Sequence, residues 1–121
     1  MFLLTIYWSK TMEIKAKKTI KDLPEDERPR EKLLKYGADK LSDTELLAIL
    51  LRTGTKGKSA IDMAEEILKS AGGTFKGLAG KDTEDITKML GVKNAKVATV
   101  AAALEISRRV SKQILKDRGI I

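Results

Sequence analysis

Residues 84–110, EDITKMLGVKNAKVATVAAALEISRRV, decide how this chain folds. Apolar residues repeat at helical spacing up to Leu90. Gly91 then provides a helix end, because glycine readily adopts the left-handed conformation of a C-terminal cap. A second helical pattern begins near Asn94 and carries apolar residues at spacings of three and four: Val97, Val100, Ala101 and Leu104. The stretch therefore predicts two helices joined by a tight, glycine-centred hairpin.

The hairpin has the chemistry of a phosphate site. A tight loop that leads into a helix directs free backbone N–H groups outward, and the helix dipole favours an anion there. This helix–hairpin–helix pattern is typical of proteins that hold nucleic-acid phosphates without reading bases. The residues expected to contact DNA are Gly91, Val92, Lys93, Asn94 and Lys96. The alternatives are an ordinary helix connection and, for Lys96, a lysine at the rim of the core.

A second glycine- and lysine-rich loop, RTGTKGKS, occupies residues 52–59. It is not a nucleotide-binding P-loop, which needs four residues between its glycines and a preceding strand. We expect it to contact a second phosphate, and the alternative is a solubilising turn. The residues concerned are Gly54, Lys56, Gly57 and Lys58. Farther along the helix that follows the hairpin, Arg108 and Arg109 either meet the neighbouring DNA backbone or only end the helix favourably.

The net charge of +7 indicates a polyanionic partner. Residues 84–121 carry eight basic and four acidic side chains, whereas residues 41–83 are balanced at six and six. The excess thus lies near the hairpin. A solvated basic helix face is the alternative interpretation.

The chain contains neither cysteine nor histidine. Disulfides and zinc sites of the Cys/His kind are therefore excluded, and the commonest general base is missing. No acidic cluster has metal-ligand character, so we expect no enzyme activity, no metal and no cofactor. The apolar start MFLLTIYW is too short to span a membrane, and the absence of cysteine fits a cytoplasmic protein.

Composition and periodicity predict an all-α domain, a small bundle of about five to six helices. Shorter helices are expected at 30–36, 75–79 and 83–89. A capping box at Ser42 and Glu45 begins a largely apolar helix through Arg52, expected at the buried centre, and a further helix covers 60–70. Residues 46–70 and 86–110 share one organisation, which predicts two helix–hairpin–helix units around a common core.

Three parts of the chain are distinguished by composition. Residues 1–20 are interpreted as an N-terminal extension, within which Met12 is a candidate translation start. Residues 21–110 form the helical domain, and residues 111–121 form a C-terminal tail or truncated linker. One alternative for the apolar first residues is a short strand or a plug against the helical core.

Three motifs, LPEDERPREKLL, LSDTELLAILLRTGT and the glycine hairpin with AALEISRR, occur in an order and spacing that resemble the amino-terminal region of the RadC family. The resemblance covers about residues 20–110. It implies a helix–hairpin–helix region of a DNA repair-associated protein, which in that family precedes a JAB/MPN-like domain with a histidine-rich zinc motif.

The sequence departs from the family pattern at two points. Lys93 stands where the family hairpin has its second glycine, so the turn is expected to differ slightly. No His-x-His motif occurs, so the activity of the JAB/MPN-like domain is not carried over. We expect a truncated gene product, an excised domain or a standalone remnant.

These observations together predict a sequence-nonspecific DNA-binding module for duplex or branched DNA. The alternative is a protein–protein interaction module that docks a catalytic domain or a repair partner. Neither function involves a membrane.

Overall fold

The computed structural model describes residues 28–55, 57–90 and 95–121. Within these ranges it contains six α-helices, a short 3-10 turn at Ala38–Lys40 and no β-strand. The helices are α1 (Pro29–Tyr36), α2 (Asp43–Leu51), α3 (Ala60–Ser70), α4 (Phe75–Ala79), α5 (Thr83–Leu90) and α6 (Ala95–Asp117). The predicted all-α fold is confirmed. The expectations for residues 1–20, Lys56 and the hairpin residues 91–94 fall outside the described residues.

Local capping signals explain where α2 and α3 begin. The Ser42 hydroxyl accepts from the Glu45 N–H at 3.1 Å, and the Glu45 carboxylate accepts from the Ser42 N–H at 2.9 Å. This is the predicted capping box. A second box joins Ser59 and Asp62 at the start of α3. Each reciprocal pair satisfies two backbone N–H groups that a helix start otherwise leaves to water.

Glycines end α1 and α3. Gly37 closes α1 with φ of 94°. After α3, the Gly73 N–H donates to the Leu68 carbonyl at 2.7 Å, and the Gly72 N–H to the Lys69 carbonyl at 3.2 Å. Both glycines have positive φ, so this is a Schellman-type ending that L-residues would adopt only with strain.

One hydrophobic core joins all helices from α2 to α6. It contains Leu47, Ala48, Leu51, Ala60, Met63, Ala64, Ile67, Leu68, Ala71, Leu78, Ile86, Val97, Val100 and Leu104. The expectation that the largely apolar helix α2 lies at the buried centre holds only in part. Only one face is buried, and Leu46, Ile49 and Leu50 are half-buried, because α1 covers the other side of α2 incompletely.

The packing order sets the shape of the molecule. α2 lies against α3, and the first half of α6 packs against α5, α2 and α4. Past Leu104, the side chains of α6 are exposed. The helix nevertheless continues through residues 111–117, which were assigned to a tail or linker, because nothing breaks it before Gly119. There the Ile120 N–H donates to the Leu115 carbonyl at 2.9 Å, a second Schellman-type ending.

Candidate nucleic-acid interface

The described residues bracket the predicted hairpin without including it. α5 ends at Leu90 and α6 begins at Ala95. Gly91, Val92, Lys93 and Asn94 therefore remain predicted DNA contacts whose geometry is not described.

Lys96, in the first turn of α6, ties that helix to the end of α2. Its Nζ donates to the Leu51 carbonyl at 2.7 Å and to the Thr53 hydroxyl at 2.9 Å. A cation at a helix C-terminus satisfies an orphan carbonyl and opposes the negative end of the dipole. Lys96 thus has a structural role, which agrees with the alternative interpretation of a lysine at the rim of the core. Its contact with phosphate stays a prediction.

The bonds of Lys96 also fix where the two predicted DNA-binding loops lie. Thr53 belongs to loop 52–59, and Lys96 follows the hairpin closely in sequence. The start of α6 and loop 52–59 are therefore neighbours at one end of the molecule. Two segments that are far apart in sequence meet there.

Loop 52–59 is a tight turn with its own structural requirements. The Lys58 N–H donates to the Thr55 carbonyl at 2.9 Å, and Gly57 has φ of 84°. A Cβ atom on Gly54 would overlap the Lys58 carbonyl oxygen. These glycines are thus explained by the turn itself. The amine of Lys58 forms an exposed ion pair with Glu66 at 2.8 Å.

The end of α2 carries a strained backbone. Arg52 has φ of 68° and ψ of −58°, and the Thr53 N–H donates across it to the Leu51 carbonyl at 2.8 Å. This is a γ-turn of the rare form with positive φ. Among the described residues, Arg52 is the only non-glycine with positive φ. The turn separates α2 sharply from loop 52–59.

Arg108 and Arg109 occupy a different region. Arg108 donates to the carbonyls of Ala79 and Lys81 at 2.9 and 2.8 Å, so it anchors α6 to the segment after α4. Hydrogen bonds from Arg109 and then Arg108 lower the pKa of the Glu105 carboxyl. The alternative that these arginines end the helix is wrong, since α6 continues to Asp117. Their contact with DNA stays a prediction.

Other basic side chains lie where α2 ends. Arg28 and Arg30, at the start of α1, line one cleft together with Arg52 and Thr53. We call the set Arg28, Arg30, Arg52, Lys58 and Lys96 the basic end. Its three arginines were not among the residues predicted to contact DNA. The available signal was ERPR at 27–30, whose proline at the first helical position places both flanking arginines at a helix start.

The described part of the chain holds no group of acidic residues placed to bind a metal ion. Within the same residues, no helix combines the length and apolarity needed to cross a membrane.

Comparison with known proteins places the chain in a family. The model of a family described as "UPF0758 N-terminal" matches residues 20–98. A UPF0758 protein of Albidiferax ferrireducens is 49% identical over 110 residues, which cover 84% of this chain and 47% of that protein. One from Desulfitobacterium hafniense is 50% identical over 90 residues, 74% of this chain and 39% of that protein.

A UPF0758 protein of Clostridium botulinum is 44% identical over 104 residues, 84% of this chain and 44% of that protein. The chain thus spans about half the length, or less, of these curated relatives. No solved structure matches it. Because the family model covers most of the sequence, the chain belongs to the UPF0758 family, the RadC-like family that its motifs resemble.

Proposed function

We propose that this domain binds DNA through backbone phosphates and without sequence preference. One observation carries the proposal. Lys96 bonds to Thr53 at 2.9 Å, so the start of α6 and loop 52–59 lie at the same end of the fold. A single DNA backbone can then meet both loops. The resemblance to RadC adds an association with DNA repair.

The arrangement of helices supports two phosphate contacts. In the proposed interpretation, α2 with α3 and α5 with α6 form tandem helix–hairpin–helix units. The hairpin at 91–94 provides one set of backbone N–H groups and the lysine of position 93, while loop 52–59 provides the other. Contacts of this kind position a protein on DNA but carry no sequence information.

A salt series tests the proposal. We expect micromolar binding to a short labelled duplex, measured by fluorescence anisotropy, with log K falling linearly against log salt. Two to four neutralised phosphates give a slope of about −2 to −4. Forked and single-stranded DNA, measured in the same series, identify the preferred form. Binding that is absent or insensitive to salt would contradict the proposal.

Lys93→Glu tests the hairpin most directly, because Lys93 is one of its predicted phosphate contacts. We expect it to weaken binding about tenfold or more, since it replaces an attraction to phosphate by a repulsion. Lys96→Glu is a poorer probe because it also removes the bonds to Leu51 and Thr53. Lys69→Glu, at the opposite end of α3, is the matched control and should retain more of the binding.

A second candidate function is a protein-docking module, for a catalytic domain or a repair partner. The exposed half of α6 favours it: Ile106, Val110 and Ile114 are 63%, 53% and 45% exposed and follow one another at helical spacing. Together with Arg109 and Gln113, these residues form a shallow, open and mainly apolar surface on one face of α6. A flat salt response in the DNA titration would favour this function. The absence of enzyme activity and the cytoplasmic location stay predictions.

A further inference from the structure

A cleft at the basic end is lined by none of the residues that the sequence predicts to contact DNA, although two of its residues belong to loop 52–59. It lies between the first turn of α1 and the carboxyl end of α2 and has a volume of about 290 Å³. Its lining residues are Arg28, Pro29, Arg30, Glu31, Ala48, Ile49, Arg52 and Thr53. Three of these side chains are arginines and one is a carboxylate, so the cleft is electropositive.

Two of the three arginine side chains have no polar partner among the described residues. Among the described residues, neither Arg30 nor Arg52 has a side-chain hydrogen bond or ion pair, and both are exposed. The guanidinium fork carries donors in a fixed plane that matches the oxygens of a phosphate. Two such groups, brought from different helices to one cleft, can meet one phosphate from two sides.

The surroundings of the arginines add to this preference. Arg28 precedes α1 without a side-chain cap, and Pro29 has no N–H. The N–H groups of Arg30 and Glu31, in the first helical turn, are free of intrahelical partners. Thr53 lines the same cleft and accepts the bond from Lys96, so the cleft adjoins the proposed DNA-binding end.

We propose that this cleft binds a backbone phosphodiester of DNA, held by Arg30 and Arg52. The inference rests on the proposed DNA-binding function and extends the interface to α1. A phosphodiester bound there continues the path of a backbone that meets loop 52–59. Free inorganic phosphate shares the same chemistry, and the experiment separates the two sources.

The test is a DNA titration of the whole chain with the double variant Arg30→Ala/Arg52→Ala. We expect affinity for the duplex to fall about tenfold and the salt slope to decrease by about one, because one phosphate contact is lost. Lys69→Ala/Lys76→Ala is the matched control. It removes one positive charge at the other end of α3 and one in α4, and it should bind nearly as the parent does. Circular dichroism and urea midpoints establish that each variant is folded.

The outcomes separate the cleft from the loops. If the parent binds with a steep salt dependence and the double variant binds equally well, the cleft assignment is overturned while the proposed function stands. If the parent itself does not bind, both fail. A further variant, Arg52→Lys, keeps the positive charge but lacks the planar guanidinium. Its affinity for the duplex should lie between those of Arg52→Ala and the parent chain.

NMR distinguishes the two phosphate sources. The side-chain Nε–H signals of Arg30 and Arg52 should shift on addition of duplex. When the same concentration of phosphate is supplied as inorganic phosphate, the chemical-shift changes of these signals should not reach saturation. Saturation by inorganic phosphate at that concentration would overturn the assignment to DNA.

Discussion

Arg52 illustrates how one residue can be strained by its backbone and still be useful through its side chain. Its positive φ stands at the junction of α2 and loop 52–59, where glycine would fit without strain. Arg52 nevertheless lines the cleft shared with α1. Strain of this kind persists when the surrounding structure fixes the backbone, here through bonds to the Leu51 carbonyl.

Arg52→Gly should therefore stabilise the fold. Relief of the positive φ outweighs the greater freedom of glycine in the unfolded chain, and we expect the free energy of unfolding to rise by about 1 kcal/mol. Urea denaturation followed by circular dichroism measures this change. Arg52→Ala keeps the strain and should show no such gain. A midpoint lowered by Arg52→Gly would show that the arginine side chain itself stabilises the domain.

Local signals at single residues were readable from the sequence. Ser42 with Glu45, and the glycines after α1 and α3, act within a few residues of where they stand, so their helix boundaries could be predicted. The bonds of Lys96 to α2 and of Arg108 to Ala79 join segments far apart in sequence. No local pattern encodes such contacts. The arginine cleft was missed for the same reason, since it forms only when α1 meets the end of α2.

At the scale of elements, α6 consists of two halves with different surroundings. Val97, Val100 and Leu104 are buried in the core, while every side chain beyond Leu104 is exposed. Periodicity predicted the buried half. The length of the exposed half was not predicted, since residues 111–121 were expected to form a tail or linker, although Gly119 marks the end of the helix. An apolar repeat at Ile106, Val110 and Ile114 was the available signal.

Removal of residues 111–121 should leave the fold nearly as stable as before. The deleted side chains are all exposed, so little buried area is lost, and we expect a change below about 1 kcal/mol in the free energy of unfolding. Leu104→Ala, on the buried half of the same helix, should cost about 2–3 kcal/mol. Urea denaturation compares the two. A large loss on truncation would mean that the exposed half stabilises the core through contacts outside the described residues.

At the scale of the whole molecule, the two helix pairs share one core. α2 contacts α6, and α3 contacts α5, so neither pair buries its apolar face alone. Leu78, on the short helix α4, is fully buried within this core. A domain built in this way should unfold as a unit.

Leu78→Ala should therefore lower the stability of the entire domain. We expect a loss of about 2–5 kcal/mol, from the lost burial and the cavity that remains. The unfolding curve should stay a single cooperative transition. Leu34→Ala changes the same side chain at a position that is 76% exposed and should have little effect. Two separate transitions in the Leu78 variant would show that the helix pairs fold independently.

The hydrogen bonds of Lys96 connect DNA binding to the integrity of α2. The amine has a limited number of protons to donate, and two of its acceptors already lie inside the fold. A phosphate that recruits this amine competes with the Leu51 carbonyl for the same donor. DNA affinity and the local order of α2 therefore depend on each other. Amide hydrogen exchange at the end of α2 should show whether the Lys96 amine is bound to the Leu51 carbonyl or to phosphate.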